Sequence, residues 1–147
     1  MARTVQEIYD KAVHLVDAQR ESDGSTASPD AAGYRVRCCQ LLNTLLNEVL
    51  PVSDTCPGPA QGRRPVHPPV SRLEDRVEMD DYVCLSLLPV GLAALFLREE
   101  DRAGYTSLWG DYLERLDRAA RTRPAGETQA VDDPYGGIEF CRFGSWE

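Results

Sequence analysis

From Val83 to Leu97 only Ser86 interrupts a run of apolar or small residues. A helix that is apolar on nearly every side has no face to give to solvent, so this run predicts the central helix of an all-α fold. Asp80 stands where its N-cap would be. Pro89 lacks a backbone donor and predicts a kink or split, and Gly91 predicts that another element approaches closely. Three other stretches carry one-sided apolar stripes at helical spacing. The first begins near Thr4, which has capping-box spacing to Glu7, and shows Val5, Ile8, Ala12, Leu15 and Val16 before ending near Arg20 at the polar stretch ESDGSTAS. The second starts at Ser28-Pro29-Asp30, an N-cap followed by proline in the first turn. It carries Tyr34, Cys38, Leu41, Leu42, Leu45, Leu46 and Val49, and Pro51 stops it. The fourth opens around Glu99 to Asp101 and presents Tyr105, Leu108, Trp109, Tyr112, Leu113 and Leu116, with Asp111–Arg115 and Glu114–Arg118 as i,i+4 ion pairs, before Thr122 to Gly126 end it. The predicted core is Leu42, Leu45, Leu46, Leu88, Leu92, Leu95, Trp109, Leu113 and Leu116.

Between the second and third helices the composition changes. Residues 51–79 hold six of the ten prolines, which forbids a helix there, and a connection of this length is usually functional or mobile. Val70, Arg72, Val77 and Met79 allow two short extended pieces, hence a short β-hairpin. No acid falls between Thr55 and Leu73, while Arg63, Arg64 and Arg72 do, so the loop is a local basic arm. The organisation expected is a helical unit over 1–126 and an acidic, aromatic tail over 127–147. That tail ends in IEFCRFGSW. Ile138, Phe140, Phe143 and Trp146 are too hydrophobic for a freely solvated terminus, so the tail either folds back on its own domain or docks on another subunit.

At 147 residues and net charge −8, the chain has the size of one domain and lacks the basic surface that nucleic-acid or anionic-membrane binding needs. The apolar run is shorter than the roughly 20 residues that span a bilayer, and acids bracket it, so it reads as a core helix. The sixteen basic residues are fifteen Arg and Lys11 alone, a bias that coding composition explains as well as selection for guanidinium contacts does. Five cysteines (Cys38, Cys39, Cys56, Cys84, Cys141) without regular spacing or a signal peptide point to a reducing cytosol. With no CxxC pair and two histidines, no zinc site is expected. Glu7, Asp10, His14 and Asp17 share a strip of the first helix that could pass for a metal face. No second helix supplies matching ligands, so a solvated strip is the better reading.

Catalytic patterns are missing as well. There is no phosphate-cradling glycine loop, no G-x-S-x-G, no HExxH, and the pairs Asp80–Asp81 and Asp132–Asp133 fit a helix cap and a turn. His67, between Pro65 and Pro68, has no Ser or Cys partner. No enzyme and no cofactor are expected. Three stretches nevertheless have a recognisable wording: IYDKAVHLVD, LLNTLLNEVLPVSDT, and MDDYVCLSLLPVGLAALFLREED followed by YTSLWGDYLERL. Together they resemble the small head–tail connector (adaptor) proteins of tailed phages and prophages of Firmicutes, over roughly two thirds of the chain.

The resemblance implies a structural role in the virion or the bacterial host cytoplasm. Subunits would form a ring beneath the portal protein and make a platform for the tail or stopper protein. DNA would pass through without specific binding, eased by an acidic lumen. Arg63, Arg64, Arg72, Ile138, Phe140, Phe143 and Trp146 lie in the loop and tail, the segments that would reach partners. Two other classes stay open. A monomeric helical adaptor or regulator would show an exposed apolar groove, and a nuclease or peptidase fragment would show a carboxylate cluster in a pocket.

Overall fold

In the computed structural model, which describes residues 2–22, 31–56 and 62–122, the first helix begins where its cap demands. The Thr4 hydroxyl accepts from the Glu7 N–H (3.3 Å), and helix α1 runs Val5–Ser22. The two donors ahead of Glu7 have no partner inside the helix. They reach carbonyls far along the chain: Val5 N to Asp75 O (3.0 Å) and Gln6 N to Leu73 O (2.8 Å). The turn that presents those carbonyls is tied by the Asp75 carboxylate, which accepts from the N–H groups of Ser71 (2.8 Å) and Arg72 (3.0 Å). Just before α1, strand β1 (Arg3–Thr4) pairs antiparallel with β2 (Arg76–Val77), in the register Arg3↔Val77 and Thr4↔Arg76. An extended piece after Pro69 is therefore present. Its partner is the start of the chain, not a second strand of the same loop, because the 71–75 turn is committed to capping α1.

Helix α2 (Ala31–Val49) buries its expected stripe except Leu41, which is half-covered; its anticipated cap at 28–30 lies outside the described residues. Pro51 sits in the short 3-10 turn Leu50–Val52 that follows. The loop then returns along α2 and is fastened to it by two asparagines one turn apart. The Asn43 amide brackets Val70, donating to its carbonyl (2.9 Å) and accepting from its N–H (2.8 Å), and Asn47 Oδ1 accepts from the His67 N–H (3.1 Å). His67 is buried with both ring nitrogens engaged: Nδ1 donates to Pro68 O (2.7 Å), and Nε2 accepts from the Glu78 N–H (3.3 Å). Val70, Leu73, Val77 and Met79 enter the core, so this part of the loop belongs to the folded body.

Asp80 joins the loop to the central helix. One carboxylate oxygen caps Val83 N (3.2 Å), and the other accepts from Ser53 Oγ (2.6 Å) and Asp54 N (3.2 Å). The split expected from Pro89 is realised as a π-helical turn at Val83–Leu87, with Leu88 N bonded to Val83 O, followed by α3 (Leu88–Leu97). The wide turn ends just before Pro89, whose ring then sits at the start of α3, where a missing donor costs least.

Helix α3 packs on α1, α2 and α4 (Arg102–Thr122), and nine of its ten residues are buried. At Gly91 the Tyr112 ring and Leu45 of two different helices close in so tightly that a Cβ would meet ring carbons at 2.9 Å. Phe96 stacks on Tyr34 (4.6 Å between centroids) and meets Tyr9 edge-on (6.1 Å). The fold is all-α, with a single two-stranded pairing among the described residues.

Of the predicted core, Leu42, Leu45, Leu46, Leu88 and Leu92 are fully buried, and Leu95, Trp109 and Leu116 pack against the core half-covered. Leu113 is a correction: it is 48% exposed. The buried line of α4 runs through Leu108, Tyr112 and Ala119, and the residue after Tyr112 is rotated about 100° out of that seam. The two i,i+4 pairs on the outer face are present, each at 3.2 Å, and Asp117–Arg121 adds a third at 2.9 Å.

Candidate functional site: a cleft beside the π-helical turn

A π turn makes the helix locally wider, and here it leaves a gap against α1. The gap is a cleft of about 460 Å³ whose floor is Leu15, Leu85, Pro89 and Val90. Its mouth carries Asp10, Lys11 and His14 from α1 and Arg115 from α4, with Ser86, the one polar residue of the apolar run, at the wall. Each side chain has a local reason for its position. Lys11, His14 and Leu15 fall on adjoining turns of α1 and so share one side of it. Asp10 is held by the Gln6 amide (2.7 Å). Arg115 donates to Asp111 through Nε (3.2 Å) and reaches across to the Ser86 carbonyl through Nη1 (3.4 Å), so one guanidinium ties α4 to the turn. The result is an apolar hollow with charged groups of both signs at its edge.

The strip Glu7, Asp10, His14 and Asp17 does not converge. No group of three metal-ligating side chains exists among the described residues, and Asp10 and His14 line the cleft instead. Sequence reasoning missed the cleft. Its only trace was Ser86 and Pro89 within an otherwise apolar run, opposite an α1 strip read as solvated.

Arg63, Arg64 and Arg72 are exposed, on the segment that Asn43, Asn47 and Asp75 fasten down. Val66, beside His67, is 70% exposed, so this stretch shows apolar as well as basic surface. The structure does not bring the three arginines into the cleft. Ile138, Phe140, Phe143 and Trp146 lie outside the described residues.

Other polar groups serve the fold. The Tyr34 hydroxyl donates to Glu100 Oε2 (2.5 Å), which also accepts from Arg20 (2.5 Å), clasping α1, α2 and the α3–α4 turn; burial and then the Glu100 carboxylate push Tyr34 up to about 12. Burial likewise pushes the Cys38 and Cys84 thiols up to about 12, which leaves them protonated and unreactive at neutral pH. The four described cysteines are free. No helix among the described residues is long and apolar enough to cross a membrane. Comparison with known proteins gives no match: neither a family model, nor a curated sequence, nor a solved structure is similar to the chain.

Proposed function

We propose that the chain is a head–tail connector subunit, one copy of a ring between the portal protein and the tail or stopper protein of a tailed phage. The observation that carries the reading is where its characteristic wording falls. The stretch Met79 to Leu116 is the mechanical centre of the fold, with α3 enclosed by α1, α2 and α4 and locked to α4 at Gly91. What faces outward is contact surface: a fastened loop bearing Arg63, Arg64 and Arg72, an apolar cleft, and a run of i,i+4 ion pairs on α4. A subunit of this kind works by binding and needs no catalytic group. Its net charge of −8 suits a ring through which DNA slides without being gripped.

The test is deletion of Glu127–Glu147 in the phage. The expected particles are filled heads without tails, counted by electron microscopy; normal yields of complete virions would overturn the reading. A second reading, a monomeric helical adaptor that binds a host or phage protein, is favoured by the exposed apolar cleft. It predicts a protein that is absent from purified virions and stays monomeric when mixed with portal protein.

A further inference from the structure

We infer that the cleft beside the π-helical turn is the docking site for the C-terminal segment of a second copy of this chain, residues 127–147, with Ile138, Phe140, Phe143 and Trp146 as its apolar part. The inference deepens the connector reading and rests on it, because that reading requires neighbouring copies to touch. Three observations converge on this occupant. The floor is aliphatic (Leu15, Leu85, Pro89, Val90), and its volume of about 460 Å³ lies within the usual size of a ligand pocket, roughly 300–1,000 Å³. The mouth carries two cations, Lys11 and Arg115, with His14 beside them; Arg115 is also ion-paired with Asp111, and Asp10 is engaged by Gln6. The chain itself supplies the complementary ligand. Residues 127–147 contain Glu127, Asp132, Asp133, Glu139 and Glu147 against Arg142 alone, a net −4 that is half of the chain's −8, together with Ile138, Phe140, Phe143 and Trp146. Acidic charge around large apolar side chains matches an apolar hollow rimmed by cations.

The connector reading favours a second copy as the donor, because it requires contacts between copies. Each copy carries this cleft and this segment at different places, so docking between copies is head-to-tail, and repeating it closes a ring when the rotation permits. Docking of a segment into its own cleft would use up both halves of the joint and leave none for a neighbour.

Two full-length variants separate the halves. F140S/F143S/W146S removes the aromatic side chains of IEFCRFGSW, and K11E/H14E places two acids at the cleft mouth, at exposed positions of α1. Each variant alone should self-associate about tenfold more weakly than the parent in sedimentation velocity, a difference of about 1.4 kcal/mol. Mixed, they should form a one-to-one complex, since one partner keeps a cleft and the other a segment. A labelled peptide of residues 127–147 should bind the segment variant. Adding K11E/H14E to that protein should weaken binding about tenfold, and so should raised salt. L85E, at the half-covered lip of the floor, should do the same without relying on charge reversal at the mouth.

Failure of the mixed variants to associate, with no peptide binding, overturns the proposal. A peptide that binds the segment variant but not the monomeric parent would show that each cleft holds its own segment, and would also overturn it. If phage carrying K11E/H14E join heads and tails normally while deletion of Glu127–Glu147 does not, the docking site is wrong and the connector reading stands.

Discussion

Replacing Gly91 by alanine measures how closely α4 is seated on the central helix. In a helix interior this exchange ordinarily stabilises by about 1 kcal/mol, because alanine gives up less backbone freedom on folding. At Gly91 the new methyl would lie 2.9 Å from Cδ2 and Cε2 of Tyr112 and 3.1 Å from Cδ1 of Leu45. Tyr112 is fully buried and rests against Trp109, 4.7 Å between centroids, so the ring has nowhere to move. Overpacking of this kind costs about 1–3 kcal/mol. Setting the propensity gain against it leaves a net loss of up to about 2 kcal/mol, or as much as roughly 6 °C in Tm for a chain of this size.

Gly110 supplies the control. It lies within α4, is exposed, and a Cβ there would meet nothing within 4 Å. Gly110→Ala should therefore raise stability by about 0.5–1 kcal/mol. Urea unfolding of both variants, followed by far-UV circular dichroism, should place Gly91→Ala below Gly110→Ala by up to about 3 kcal/mol. If Gly91→Ala proved as stable as Gly110→Ala, the close seating of Tyr112 on α3 would be refuted.

Asp80→Ala should cost about 2–3 kcal/mol in the same assay, because it removes a helix cap and the carboxylate that Ser53 and Asp54 donate to; a loss no larger than that of an exposed surface exchange would remove Asp80 as the joint between loop and helix. Tyr112→Phe should be neutral or stabilising by up to about 1 kcal/mol, since the buried hydroxyl has no hydrogen-bond partner in the structure and burial pushes the phenol upward; a clear destabilisation would reveal a partner for it. Acid should weaken the fold through Asp75 and Asp81. Backbone donors from Ser71 and Arg72 lower the first, and the hydrogen bond from Arg3 lowers the second. A lowered carboxyl stabilises the fold above its ordinary range and loses that contribution as pH falls below about 4, so Asp75→Asn and Asp81→Asn should flatten the acid limb of a stability–pH curve; an unchanged limb would show that neither matters.

The helices were legible because each is specified by residues a few positions apart. Thr4 caps α1, and Asp80 caps the turn that leads into α3. The stripe of α2 is buried as its spacing requires, and a fully apolar α3 could only be central. Gly91 signalled the close approach, though not that Tyr112 and Leu45 make it. Tertiary structure alone decided which distant groups meet. The chain's start pairs with Arg76–Val77 because the first donors of α1 need the carbonyls of Leu73 and Asp75, a demand that no local pattern in the loop records. Leu113 fell outside the core because its exposure depends on how α4 is rotated on α3, and that rotation is set by the seating of Tyr112 at Gly91. The cleft likewise exists only because a widened turn and α1 lie side by side. Periodicity determines which side of a helix is apolar; contacts between elements far apart in sequence determine where that side ends and what is left open beside it.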